Sequence, residues 1–111
     1  MNTSIEYLYR DANNYKQYEE AILEGELTDE QKALILKHED EFIPSQVGLS
    51  DLQPRFLSFP SSDDHVWHEM GRINGTHHEP NMPMTAAEFA EKFRGISWDI
   101  EGAMKRLGLD V

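Results

Sequence analysis

No cysteine occurs among the 111 residues, and that absence constrains the fold more than any motif does. Small secreted domains often use disulfides to offset a limited core. This chain must hold together by packing and capped helices alone. Two Trp, four Tyr and five Phe supply much of the core, because each aromatic side chain buries a large area. The length suits one domain, spanning residues 1–111. Thiol catalysis and cysteine zinc sites are excluded as well.

The charge balance narrows the partners. Acids outnumber bases 21 to 10, and the formal charge is −11. Binding to free nucleic acid rests on phosphate neutralisation by Lys and Arg, so direct nucleic-acid binding is not expected. An anionic lipid surface is excluded for the same reason. A basic protein surface is the better complement, although charge of this size also serves solubility alone. The first residues, Met1-Asn2-Thr3-Ser4-Ile5-Glu6, have neither the basic stretch nor the apolar run of a signal peptide. No segment reaches the roughly 20 apolar residues of a membrane helix. A cytoplasmic setting is therefore expected.

Local patterns predict an α+β domain with a small antiparallel sheet of three or four strands and about three helices. Ile5 to Arg10 reads as a strand, Arg10 to Asn14 as a turn, and Tyr15 to Leu23 as a returning strand. The stretch from Tyr15 to Glu20 also fits a helix. Thr28-Asp29-Glu30-Gln31 is a capping box, so a helix is expected from Asp29 to His38, with Leu27, Leu34, Ile35 and Phe42 along its apolar stripe. Ser50 to Gln53 starts a short helix that Pro54 limits. A strand is expected over His65–Ile73, followed by an Asn74-Gly75 hairpin turn and a short partner strand over Thr76–Glu79. Thr85-Ala86-Ala87-Glu88 is a second capping box, with Met84 placed to staple onto Phe89. Gly95 ends that helix. Ser97 is expected to cap a final helix with Ile100, Ala103, Met104 and Leu107 on one stripe, stopped by Gly108.

Three groups of residues stand out for chemistry. The first is Tyr7, Tyr9, Arg10, Asp11, Asn14 and Lys16, on and around one turn. Strand alternation puts Ile5, Tyr7 and Tyr9 on one face and Leu8 and Arg10 on the other. An Arg and a Lys beside aromatics suit a phosphate or carboxylate. A purely structural turn, with Asp11 accepting backbone amides, explains the same residues.

The second is Asp63-Asp64-His65-Val66-Trp67-His68-Glu69, followed by His77-His78-Glu79. Four of the five histidines and four acids lie in this stretch. His and carboxylate ligate zinc and manganese. In the expected hairpin, however, His68, His77 and Glu79 share a face with Arg72, and a cation there disfavours a metal. A general acid–base pair is equally open, but no nucleophile elbow, phosphate loop or nucleotide fingerprint occurs. The simplest account is a partly buried Trp67 among polar residues that satisfy backbone groups. No catalytic residue, metal site or cofactor is assigned.

The third is the acidic run Glu19, Glu20, Glu24, Glu26, Asp29 and Glu30, which contains no base. Asp29 and Glu30 favour the first turn of the expected helix. If the others share its face, they form a negative surface for a basic protein.

The strings Tyr7 to Lys16 and Asp63 to Glu69, with Phe42 to Leu49 between them, resemble a family of small uncharacterised bacterial and phage proteins. The resemblance covers about the first 70 residues and carries no activity. It implies that these strings belong together, around one site.

Three functions follow as expectations. The first is a non-enzymatic acidic binding protein acting on another macromolecule with a basic surface, of the inhibitor type seen in phage anti-defence proteins or toxin antidotes. The second is a small-ligand module for an anionic nucleotide signal, with Arg10, Lys16, His65, Trp67, His68 and Glu69 around the ligand. The third is a metal-dependent enzyme at the His-rich stretch.

Overall fold

A computed structural model describes residues 1–109 of the chain. Its architecture is α+β: a three-stranded antiparallel sheet, β1 (Asn2–Arg10), β2 (Lys16–Leu23) and β3 (Glu69–Thr76), and three helices, α1 (Asp29–Leu36), α2 (Ala86–Glu91) and α3 (Ile100–Leu107). The strand order is β2-β1-β3, so the first strand is central and both others are edges.

The β1–β2 hairpin forms as its sequence predicts. Asp11 Oδ1 accepts the backbone N–H groups of Asn13 and Tyr15, both at 2.9 Å. Asn14 takes φ 67°, a left-handed conformation that Asn tolerates. The register that results sets Tyr9 against Gln17 and Tyr7 against Glu19. Alternation then sends Ile5, Tyr7 and Tyr9 into the core, where all three are buried. Phe42, Phe89 and Phe93 pack in the same cluster.

The expected turn at Asn74-Gly75 does not form. Both residues lie inside β3, opposite Ser4 and Thr3. Nor is there a partner strand over Thr76–Glu79: β3 pairs with β1, a long-range contact that outweighs the local turn preference. The strand also starts later than His65. Residues 65–68 are irregular apart from one bridge between His68 and Phe42. Within β3, Gly71 and Arg72 stand opposite the single Glu6, a bulge. A Cβ at Gly71 would lie 3.0 Å from the Glu6 carbonyl oxygen, a tight contact that a larger residue could take only by shifting the backbone of β1.

Both capping boxes form, at Thr28–Gln31 and Thr85–Glu88. The α1 helix ends at Leu36 rather than His38, and of its helical residues only Ile35 is buried. Asp99, not Ser97, caps α3 by accepting the Gly102 amide. Of the expected α3 stripe, Ala103 and Leu107 are buried while Ile100 and Met104 stay exposed. Ala103 and Leu107 pack with Ile43 and Val66, and Trp67 and Trp98 border them. No helix among the described residues is long and apolar enough to cross a membrane.

Candidate functional site

The strings around Arg10 and Trp67 meet in space. The hairpin turn is bonded to the loop that precedes β3: the Ala12 amide donates to the Asp63 carbonyl at 3.1 Å, and Asn13 Nδ2 donates to Asp63 Oδ2 at 2.6 Å. The Tyr9 hydroxyl donates to Asp64 Oδ1 at 2.6 Å and accepts the His65 backbone N–H at 3.2 Å. Burial, reinforced by the Asp64 carboxylate, pushes the Tyr9 hydroxyl well above its ordinary pKa. It remains a donor throughout the neutral range.

The histidines have defined tautomers. His65 Nδ1 accepts the Trp67 amide at 3.0 Å, so its Nε2 carries the proton and donates to the Arg10 carbonyl at 2.7 Å. His68 is fully buried. Its Nε2 accepts the Leu52 amide at 3.1 Å, and Nδ1 faces the Val66 carbonyl at 3.3 Å. Tyr7, Tyr9 and Phe42 surround the ring. Desolvation there holds its pKa at about 3. His68 is therefore a neutral acceptor for backbone and not an exchangeable base near neutral pH. Gln53, equally buried, donates its amide to the His65 carbonyl at 2.8 Å.

Arg10 is engaged at all three guanidinium nitrogens. Nε and one terminal nitrogen contact Glu69, at 2.9 and 3.4 Å, and the other contacts Asn14 Oδ1 at 2.6 Å. The Glu69 hydrogen bond raises its pKa further. No free guanidinium fork faces a phosphate. Trp67 lies against the α3 cluster rather than over an open ligand face. Tyr9, Arg10, Asp11, Asn14, His65 and Glu69 thus converge as a bonded knot that ties the hairpin to the loop, and His68 packs against the Tyr9 ring while its nitrogens bond Leu52 and Val66. Lys16 stands opposite Arg10 across the hairpin. His77 and Glu79 are exposed beyond β3, far in role from buried His68. Among the described residues, no three His, Asp or Glu side chains gather as a metal-binding group.

The acidic run does not share one face. Glu19 and Glu20 alternate across β2. Glu19 lies on the core side and pairs with Arg55, which lowers its pKa. Glu20 lies on the open side, where the Ser4 hydroxyl donates to it. Glu24 and Glu26 are exposed past the end of β2. Asp29 and Glu30 occupy the first turn of α1, and Glu30 pairs with Arg94.

The open face of the sheet has its own order, which cuts across the acidic run. Going up the hairpin, Glu6 faces Glu20, Leu8 faces Tyr18, and Arg10 faces Lys16. Like stands opposite like at each rung. Directly opposed like charges destabilise a sheet. Glu69 relieves the basic rung, while neither Glu6 nor Glu20 has a salt-bridge partner among the described residues. Tyr18 is 64% exposed beside them. Glu6 and Tyr18 become visible from sequence only once the turn fixes the hairpin register.

Comparison with known proteins finds no matching family model, no matching curated protein and no matching solved structure.

Proposed function

We propose that this chain is a non-enzymatic acidic binding protein that acts on another macromolecule, a protein with a basic surface, as an inhibitor of the anti-defence or antidote kind would. The carrying observation is the Glu6–Glu20 rung on the open sheet face. Two carboxylates opposed with no ion pair of their own, although Arg72 stands on the neighbouring strand, are unfavourable in the free protein, and a partner Lys or Arg placed between them removes that repulsion. Leu8 and exposed Tyr18 supply an adjoining apolar contact, and Tyr is well suited to a protein interface. The net charge of −11 adds long-range attraction for a basic partner.

A titration with an arginine-rich peptide, followed by NMR, tests this reading. Shifts should concentrate at Glu6, Leu8, Tyr18 and Glu20 and should weaken with salt. The double variant Glu6→Gln/Glu20→Gln should lose them. Equal shifts at every acidic position, or unchanged binding by that variant, overturn it.

A further inference from the structure

The two edges of the sheet are treated differently: β2 is covered along its length, while β3 is covered at Met70, whose amide donates to the Glu39 carbonyl at 2.7 Å, and open beyond its bulge. Along β2, the outward carbonyls of Tyr18, Glu20, Ile22 and Glu24 and the outward amides of Glu20 and Ile22 are occupied. Arg55 donates to the Tyr18 carbonyl at 3.1 Å, and Asn81 Nδ2 donates to the Glu20 carbonyl at 3.3 Å. Ile22 donates to Asn81 Oδ1 at 2.8 Å and accepts the Asn81 amide at 2.9 Å. The Glu24 carbonyl accepts the Ala86 amide at 2.8 Å. Asn81 thus acts as a one-residue strand that seals this edge.

The same bonds fix the direction of every backbone group in the sheet. Since Ile22 points outward, Ser4 opposite it points towards β3 and bonds Asn74. Ile73 and Gly75, on either side of Asn74, therefore direct their N–H and C=O groups away from β1. No partner for these groups occurs among the described residues. An open edge of this kind is a template for another strand.

We infer that the β3 edge pairs with a second copy of this chain. The open groups are self-complementary. With a two-fold axis at Asn74, Ile73 of each copy exchanges two hydrogen bonds with Gly75 of the other, four bonds in all. The Ile73 side chain then stands across from a residue with no side chain of its own. Over Gly75 lies Met1, whose sulfur occupies the space a Cβ at that position would need and which is 61% exposed in the single chain. Ile73 of the second copy covers it, twice by symmetry. Charge permits the approach. In a chain of formal charge −11, the segment from Gly71 to Thr76 contains no acid and one base, Arg72, which falls opposite Thr76 rather than its own copy. The result is a six-stranded sheet whose outer edges are both sealed β2 strands. Growth stops at two copies, as an isologous contact requires.

Sedimentation of the full chain over a range of concentrations tests this. The wild type should move towards twice the monomer mass as concentration rises. Asn74 is exposed and meets its own copy at the axis, so Asn74→Glu and Asn74→Lys should each stay monomeric by like-charge repulsion. An equal mixture of the two should recover the dimer. Amide exchange at Ile73 and Gly75 in the wild type should slow with concentration. A wild type that stays monomeric throughout, single variants that dimerise as it does, a mixture that fails to recover, or concentration-independent exchange at these amides each overturns the proposal.

Discussion

Replacing His68 with Phe separates two roles of one buried ring. In the folded chain His68 is neutral, with a pKa near 3, while in the unfolded chain it titrates near its ordinary value of 6.5. The unfolded state binds the proton more readily, so stability rises with pH. The contribution is complete above about pH 6.5 and is lost progressively as pH falls towards 3. Each pH unit within that window corresponds to about 1.4 kcal/mol, so lowering pH from 7 to 5 should remove roughly 2 kcal/mol. Across the whole window the loss is on the order of 4–5 kcal/mol. The variant His68→Phe keeps an aromatic ring at the site, slightly larger than imidazole, but cannot accept the Leu52 amide. It should be less stable at pH 7 by about 1–3 kcal/mol, the cost of a buried donor left without its acceptor. Between pH 7 and 5 it should lose correspondingly less stability than the wild type. Urea unfolding at a series of pH values, read by the fluorescence of Trp67 and Trp98, measures both quantities. Parallel pH profiles for the two proteins would refute the assignment of His68 as a neutral buried acceptor.

Two further perturbations address the knot and the sealed edge. Tyr9→Phe removes the hydroxyl that bonds Asp64 and the His65 amide, and should lower stability by about 1–3 kcal/mol; a wild-type urea midpoint would show that these bonds do not hold the turn to the loop. Asn81→Ala removes the side-chain contacts to Ile22 and Glu20, about 1–2 kcal/mol, and should promote aggregation through the exposed β2 edge. Light scattering of this variant on mild heating checks that; loss of stability without aggregation would leave the edge role unsupported.

What could be read from sequence had local causes. Asp11 and Asn14 define the hairpin turn by themselves, and Thr28 and Thr85 define two helix starts through a contact three residues away. The inward face of Ile5, Tyr7 and Tyr9 follows from strand alternation. What failed depended on distant partners. Asn74-Gly75 is a strong local turn signal, yet pairing with Ser4 and Thr3 holds it in a strand. His65 and Trp67 read as strand residues, but side-chain bonds from His65, Gln53 and Tyr9 fix them in a loop. The acidic run is contiguous only in sequence, since strand alternation alone separates Glu19 from Glu20. Gln53 and Asn81 lie in no motif, because their roles exist only where another segment presents bare backbone. The Arg10 and Trp67 strings lie far apart in sequence, and their contacts in the fold are with one another.

The seal on β2 has a consequence during synthesis. The hairpin is complete once residue 23 has been made, but the groups that close its edge come from Arg55, Asn81 and Ala86. For some sixty residues of translation the nascent chain carries a formed or forming ribbon with an uncovered side. Ribosomes add about 5–20 residues per second, so this interval lasts several seconds. A chain truncated before Asn81 would keep that sticky side permanently, and crowded polysomes are where it would first find a wrong neighbour.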